Sequence, residues 1–176
     1  MKRTIAIAGA TGFIGQWFIE KYKHEYNIIA LSRNKIKDPD STDVNWKQVD
    51  LYSISSTTES LKGADIAIYL VHSMMPSTRL NQGDFEDTDI LLADNFSRAA
   101  QACNLKQIIY VGGILPKDDH TISKHLKSRY EVEKTLGSRN TPLTSIRAGI
   151  IIGPNGSSFR IVQQLVKNLP LMACPE

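Results

Sequence analysis

The stretch that decides the fold is Gly9-Ala10-Thr11-Gly12-Phe13-Ile14-Gly15, which lies between an apolar run and an amphipathic stretch. A GxxGxxG pattern in this position predicts a phosphate-binding turn between a first strand and a first helix. Gly9 allows the tight turn, Gly12 lets the backbone approach a pyrophosphate, and Gly15 permits close packing of the helix on the strand. The free N–H groups of the first helical turn would then bind the phosphates.

Outward from this turn, short apolar runs alternate with amphipathic stretches along the whole chain. Several runs consist almost entirely of Ile, Val and Tyr, as in parallel strands that are buried on both faces. The pattern predicts an α/β fold, namely a doubly wound, mostly parallel Rossmann sheet with helices on both faces. Strands are predicted at residues 4–8, 28–32, 44–49, 66–71, 106–112 and 143–147. Helices are predicted at residues 13–24, 55–62, 85–103, 122–138 and 158–167.

The length of 176 residues suits one domain with a sizeable core. We predict a dinucleotide-binding domain over residues 1–170. The segment 171–176 has no closing strand or cap, and it is predicted to begin a truncated C-terminal substrate region. Nothing in the sequence up to that point has the composition of a flexible linker.

Charge and composition exclude several classes of function. The net charge is only +3 and the basic residues are scattered, which argues against nucleic acid as a partner. No run of about 18 apolar residues exists to span a membrane. The two cysteines have no metal-ligand spacing, so a reduced, cytoplasmic setting is predicted. The Asp118-Asp119-His120 segment lacks a matched second pair of ligands, and no metal site is predicted there.

The end of the second strand bears on the choice of cofactor. NAD sites commonly place a carboxylate there to hold the ribose 2′-hydroxyl. This chain has Ser32 and Arg33 instead, a hydroxyl beside a guanidinium, which favours the 2′-phosphate of NADP over NAD. The alternatives are NAD itself and an Arg33 that is simply solvated. Asp50, followed by Leu51, would place a carboxylate near the adenine amino group or would cap the next helix.

The other predicted cofactor contacts follow from the rule that ligands bind at the carboxyl ends of parallel strands. Leu70, Val71 and His72 come after the fourth strand, and Gly112 stands at the end of the fifth. We expect the backbone of the first turn to contact the cofactor, whereas side-chain chemistry by His72 is a weaker prediction. The predicted cofactor-binding residues are Gly9, Thr11, Gly12, Phe13, Ile14, Gly15, Ser32, Arg33, Asp50, Leu51, Leu70, Val71, His72 and Gly112.

With these features in place, the sequence resembles the short-chain dehydrogenase/reductase superfamily, in its extended and atypical, NmrA-like branches. It also resembles uncharacterised bacterial proteins described as nucleoside-diphosphate-sugar epimerases. The resemblance runs from Thr4 to about Pro170. It rests on the glycine pattern, Asp50-Leu51, Asn-Phe-Ser-Arg-Ala-Ala at residues 95–100, Ile-Ile-Tyr-Val at 108–111, Tyr-Leu-Val-His-Ser at 69–73, Gly112-Gly113, Arg147-Ala148-Gly149 and Gly153-Pro154.

The resemblance implies a Ser or Thr after the fifth strand and a Tyr-x-x-x-Lys on the next helix, with the tyrosine as acid/base. Tyr130 and Lys134 match that spacing literally. The longer family pattern instead aligns His125 with the tyrosine and Arg129 with the lysine. At about 100° per residue, His125 lies within roughly 40° of the middle of the apolar stripe, beside Arg129. Tyr130 and Lys134 lie about 100° and 140° away.

We therefore predict His125 and Arg129 as the catalytic pair, with Tyr130 and Lys134 as the alternative. A packed or capping His125 is an equally good interpretation. Other family positions are altered: Gly112-Gly113 replaces the serines, and Asp89 aligns with a helix asparagine.

These residues leave two functions open. One is an NADP-dependent oxidoreductase or epimerase-like enzyme that acts on an unknown small organic substrate. The other is a non-catalytic dinucleotide-sensing or assembly protein of the NmrA kind. A sugar-nucleotide epimerase proper is the least favoured alternative, because its chemistry depends on the tyrosine. A homodimer is a further expectation, since the superfamily commonly packs the third and fourth helices between subunits.

Overall fold

A computed structural model of the chain describes residues 2–36, 43–72, 85–115, 123–153 and 156–169. Strands and helices alternate through these residues, which confirms the predicted α/β class. The strands are β1 Thr4–Ala8, β2 Asn27–Ser32, β3 Val44–Gln48, β4 Ile66–Tyr69, β5 Gln107–Gly113 and β6 Leu143–Ala148. The helices are α1 Phe13–Tyr22, α2 Ile54–Leu61, α3 Phe85–Ala102, α4 Lys124–Leu136 and α5 Ser157–Asn168.

The six strands form one sheet in the order β3-β2-β1-β4-β5-β6, and every described pairing is parallel. The chain starts at the centre of the sheet, builds one half outward through β3, and then crosses over to build the other half from β4. The order of strands therefore reverses between β1 and β4. In open parallel sheets, a crevice for ligands lies beyond the carboxyl ends of the strands at this reversal.

Helices cover both faces of the sheet because successive strand residues point to opposite sides. On one face, Leu61 of α2, Phe96 of α3 and Leu136 of α4 pack in one buried cluster with strand residues such as Tyr69. The ring centroids of Tyr69 and Phe96 lie 4.9 Å apart in an edge-on arrangement. On the other face, Ile19 of α1 packs on the opposite side of the same strands.

Helix α5 differs from the others in how little of it is buried. From Arg160 to Leu169 every side chain is exposed, including apolar ones such as Val166, which is 60% exposed. The residue before it, the N-cap Gly156, lies close to α1. Gly156 is buried, and a Cβ atom there would lie 3.4 Å from the Phe13 ring.

Differences from the predicted bounds are confined to the ends of elements. Strand β4 ends at Tyr69, so Val71 lies in the turn that follows, and α1 ends at Tyr22 rather than at residue 24. Within the described parts of the chain, no helix is both long and apolar enough to cross a membrane. The segments 116–122 and 170–176 lie outside the described residues. The predicted Asp118-Asp119-His120 loop and the predicted start of a C-terminal region fall there.

Candidate functional site

The glycine turn leaves β1 and opens α1. Gly9 has a φ of +87°, a region that side chains strongly disfavour. The Gly12 N–H donates to the Gly9 carbonyl at 3.0 Å, which closes the turn, and Gly12 is the N-cap of α1. Because no helical carbonyl precedes the first turn, its amides are free to bind an anion.

The turn is too tightly packed for side chains at two of its glycines. A Cβ atom on Gly15 would lie 2.6 Å from the Gly9 carbonyl oxygen and 2.8 Å from the Ala10 Cα. A Cβ atom on Gly9 would lie 3.1 Å from the backbone of Leu70, in the turn after β4. The backbone thus forms a cradle in which a pyrophosphate can approach the start of α1. The residues present fit a dinucleotide.

On one side of the cradle a cavity of about 340 Å³ runs toward the ends of β2 and β3. Arg33 and Asp50 line this cavity, and they also line an adjoining cavity of about 320 Å³. The Arg33 side chain is exposed, and the structure records no ion pair for it among the described residues. Six of the predicted cofactor-binding residues line this cavity, among them the four predicted for the adenosine end. They are Ser32, Arg33, Asp50 and Leu51, together with Thr11 of the glycine turn and Val71 after β4.

Local hydrogen bonds fix the polar groups of this adenosine end. The buried Ser32 hydroxyl accepts a hydrogen bond from the Asn34 N–H at 3.2 Å, and its own proton can still be donated to a ligand. One carboxylate oxygen of Asp50 accepts from the Tyr52 N–H at 3.1 Å. Helix α2 is capped by Ser53, whose hydroxyl accepts from Ser56 N–H. The alternative role of Asp50 as the cap of this helix is therefore wrong.

On the other side of the cradle a larger cavity, of about 610 Å³, extends under the ends of β5 and β6. Gly9, Gly12, Leu70 and His72 line both this cavity and the one at the adenosine end, so the two form one groove that crosses the glycine turn. The remaining predicted cofactor residues also line the larger cavity. They are Phe13, Ile14, Gly15 and Gly112.

Helix α4 brings the predicted catalytic pair to the larger cavity. His125 and Arg129 both line it, His125 as an exposed side chain and Arg129 as a partly buried one. The Tyr110 hydroxyl donates to the Arg129 carbonyl at 3.2 Å, which ties this turn of the helix to β5. The alternative pair lies elsewhere: the Lys134 ammonium sits 4.2 Å from the centre of the Tyr130 ring, and neither residue lines the groove.

A side chain at either of the two glycines that end β5, where the family pattern has serines, would meet a neighbouring side chain. A Cβ atom on Gly113 would lie 2.7 Å from Cδ2 of Leu126, and one on Gly112 would lie 2.9 Å from the Tyr110 ring. The close approach of α4 therefore restricts position 113, whereas position 112 is restricted by Tyr110 of the same strand. A hydroxyl at either position would need a shift of Leu126 or of the buried Tyr110.

The surroundings shift the pKa values of His72, which lines the groove, and of Tyr69, which is buried in the core. Although His72 is exposed at the mouth of the cavity, desolvation by neighbouring protein atoms, and then the charge of Arg129, lower its pKa. Burial, and then the charge of Asp89, raise the pKa of Tyr69. His72 is thus favoured as a neutral imidazole, and Tyr69 is held as a neutral phenol.

Several residues that line the larger cavity were not among the predicted cofactor-binding residues. They lie near or after the ends of β5 and β6, on α4 or at the N-cap of α5. For those at the strand ends the available signal was the carboxyl-end rule, which the prediction applied to residues 70–72 and to Gly112. These residues are Val111, Gly113, Ile114, Leu126, Ala148, Gly149, Ile150, Ile151 and Gly156.

Fold and groove together define a dinucleotide-binding protein of the Rossmann type. Residues 5–166 match the model of the NAD dependent epimerase/dehydratase family, and the chain belongs to this family. Over 146 residues it is 28% identical to the auxiliary protein GraX of Staphylococcus aureus. That match spans 81% of this chain and 43% of GraX.

Solved structures show the same fold. The Bordetella bronchiseptica enzyme WbmG, in complex with NAD, matches with a TM-score of 0.75 and 14% identity over 95% of this chain and 60% of WbmG. The UDP-N-acetylglucosamine 4-epimerase of Bacillus cereus matches with a TM-score of 0.67 and 22% identity over 88% of this chain and 56% of the enzyme. A nucleoside-diphosphate-sugar epimerase of Staphylococcus aureus matches with a TM-score of 0.71 and 20% identity over 94% of this chain and 55% of the epimerase.

These findings confirm the predicted class: an NAD(P)-binding protein of short-chain dehydrogenase/reductase type. The family also confirms a nicotinamide dinucleotide as the kind of cofactor. The chain spans about half the length of the relatives it matches.

Proposed function

We propose that the groove binds NADP(H), with the 2′-phosphate at Arg33 and the nicotinamide in the larger cavity. The observation that carries this proposal is the continuity of the groove. It runs from Arg33 over the glycine turn to Arg129, with Gly9 and Gly12 in both halves. The pyrophosphate would lie on the first-turn amides of α1, where the helix dipole favours negative charge.

Arg33 and Ser32 support NADP rather than NAD. The exposed guanidinium stands at the end of β2 on the wall of the adenosine-end cavities, and it offers paired N–H donors to a phosphate. The Ser32 hydroxyl, in the same wall, can donate to the same phosphate. Asp50 follows β3 instead of β2, and we propose that it faces the adenine.

Calorimetric titration with NADPH and NADH tests this assignment. We expect NADPH to bind the wild-type chain more tightly than NADH. Arg33→Ala should weaken NADPH binding by about tenfold or more, the loss of a charge-assisted hydrogen bond, and leave NADH binding nearly unchanged. Lys35→Ala is the matched control, since Lys35 is also exposed but does not line the groove. Equal binding of both dinucleotides before and after Arg33→Ala would overturn the proposal.

For catalysis, we propose that His125 exchanges a proton with the substrate and that Arg129 orients it. A bound nicotinamide would supply or accept a hydride in the same cavity. An imidazole is suited to proton exchange near neutral pH, whereas a guanidinium stays charged and can only bind. The reaction class would be an NADP-dependent oxidoreduction or epimerisation of a small organic molecule.

A non-catalytic role is the second candidate, a dinucleotide-sensing or assembly protein of the NmrA kind. Three observations favour it. Glycines stand at 112 and 113 where the family apparatus has serine, and Tyr130 lies outside the groove. A relative at 28% identity is named an auxiliary protein rather than an enzyme.

Turnover separates the two candidates. An oxidoreductase oxidises NADPH in the presence of some carbonyl substrate, whereas an epimerase converts its substrate with no net change in NADPH. In either case His125→Ala abolishes turnover while NADPH still binds. A sensing protein binds NADPH but neither oxidises it across a broad panel of aldehydes, ketones and keto acids nor epimerises a substrate.

A further inference from the structure

We propose that the part of the larger cavity beyond the glycine turn binds a small organic anion with an apolar body, held by Arg129 and His125. This inference deepens the proposed function, because it assumes that the dinucleotide occupies the groove over the turn. It names the class of ligand that would lie beside the nicotinamide: a short branched or aromatic carboxylate, or the corresponding phosphate monoester.

The ionisable side chains on the described wall of the cavity favour a negatively charged ligand. Among the described residues that line this cavity, the ionisable side chains are His72, His125 and Arg129, and none is a carboxylate. The charge of Asp89 partly opposes the lowering of the His72 pKa by desolvation, but Asp89 is only 4% exposed and does not line the cavity. The described wall therefore presents a fixed positive charge, to which an anion binds more strongly than a neutral molecule does.

The position of Arg129 and His125 separates them from the phosphate cradle. The two residues are four apart on α4, so their side chains project from the same face of that helix. Helix α4 packs on the opposite face of the sheet from α1. The pyrophosphate would lie at α1. The Arg129 guanidinium also interacts with the Tyr110 side chain, and its remaining N–H donors can form a two-pronged hydrogen bond with a second anion.

The rest of the wall is apolar, and this determines the body of the ligand. Ile114, Ile150 and Ile151 line the cavity while remaining 59%, 61% and 37% exposed. A ligand with a branched or aromatic body would bury these side chains, which is favourable. A sugar ring carries hydroxyls all round, whereas the hydrogen-bonding side chains among the described residues of this wall are His72, His125 and Arg129, so most of its hydroxyls would face apolar groups.

A pair of probes that differ only in charge tests the inference. The carboxylate 4-methylpentanoate and its neutral amide, 4-methylpentanamide, have nearly the same shape. Calorimetry on the chain saturated with NADP⁺ should show the carboxylate binding at least about tenfold more tightly than the amide. Isopentyl phosphate, titrated in parallel, shows whether the site prefers a carboxylate or a phosphate.

Two variants on α4 test whether Arg129 causes the preference for the carboxylate over the amide. Arg129→Gln should remove most of the preference for the carboxylate. Lys127→Gln removes the same charge from an exposed position that does not line the cavity, and it should leave the preference intact. Equal binding of carboxylate and amide to the wild-type chain, or equal losses in both variants, would overturn the inference.

The same titrations without NADP⁺ separate the two proposals. If NADP⁺ binds but neither anion does, only the anion site is wrong. If NADP⁺ does not bind but the carboxylate is still preferred in an Arg129-dependent manner, the anion site stands and the dinucleotide assignment fails.

Discussion

Gly15 shows how a single residue shapes the binding site. It is buried in the first turn of α1, where the helix comes so close to β1 that a methyl group would overlap the backbone of Gly9 and Ala10. The same contact holds the amides of Phe13 and Ile14 at the groove. Both the binding of a dinucleotide and the packing of α1 on the turn therefore depend on the lack of a side chain at Gly15.

Gly15→Ala should abolish detectable dinucleotide binding and destabilise the fold by about 1–3 kcal/mol, the usual effect of overpacking. Gly63→Ala is the control. Gly63 has a φ of +81° and nothing within 4 Å of an added Cβ, so alanine there introduces about 1–2 kcal/mol of backbone strain far from the groove. Thermal unfolding and calorimetry together should show similar losses of stability but loss of binding only for Gly15→Ala. Normal NADPH affinity in Gly15→Ala would contradict the proposed cradle.

His72 provides a prediction about pH. Desolvation lowers its pKa in the folded chain below the ordinary value of 6.5, so the unfolded chain binds the proton more readily. The stability that the neutral imidazole contributes is complete above about pH 6.5 and is lost as the pH falls through the lowered pKa. An NMR titration should give a midpoint for His72 below 6.5. His72→Gln should flatten the fall in stability below that pH, and an unchanged fall would contradict the assignment.

At the scale of the element, α4 distinguishes between the two possible catalytic pairs. The turn that carries His125 and Arg129 faces the cavity, whereas Lys134 lies against the Tyr130 ring. Near Lys134 on the same helix, Glu133 forms a hydrogen-bonded ion pair of 2.8 Å with Arg147 of β6. This pair lowers the pKa of the Glu133 carboxyl.

Lys134→Ala should leave NADPH affinity within about twofold of the wild-type value, since a partly exposed cation–π contact contributes at most about 1 kcal/mol and only to local structure. Arg129→Ala should instead weaken binding of the carboxylate 4-methylpentanoate, because the guanidinium is proposed to hold that anion. Calorimetry on the two variants checks this. A large loss of NADPH affinity in Lys134→Ala would restore the literal Tyr-x-x-x-Lys spacing as the functional one.

Helices α3 and α5 should differ strongly in their contribution to stability. Phe96 of α3 is fully buried against Tyr69, whereas Leu165 of α5 is 45% exposed. Phe96→Ala should lower the free energy of unfolding by about 3–5 kcal/mol, and Leu165→Ala by no more than about 0.5 kcal/mol. Urea denaturation of both variants measures the difference. A comparable loss from Leu165→Ala would show that α5 packs against another surface.

The elements also show which features a sequence can predict. Strong local signals, namely continuous apolar strands and the glycine turn, placed all six strands and five helices with errors of one or two residues at most ends. The walls of the cavity were harder to predict, because Ile150 and Ile151 reach it only through the pairing of β6 with β5. The tight contact between Gly113 and Leu126 likewise depends on how closely α4 approaches the sheet, which no local pattern encodes.

For the whole molecule, the groove lies along the carboxyl edge of the sheet, where the order of strands reverses. At the opposite edge a separate surface, lined by residues such as Lys2, Asp65 and Lys106, is held by its own hydrogen bonds. Lys106 pairs with Asp65 at 2.7 Å, so this basic surface is already neutralised in part. Residues at this opposite edge therefore serve as an internal control for ligand binding at the carboxyl edge.

The central claim is that a nicotinamide dinucleotide binds along the carboxyl edge, across the glycine turn. Amide resonances of the ¹⁵N-labelled chain, followed during addition of NADPH, test it most directly. We predict that the resonances of Gly9, Gly12 and Gly112 shift in a saturable manner while those of Asp65 and Lys106 stay in place. If no resonances shift, or if the shifts are confined to the edge with Asp65 and Lys106, the account is contradicted.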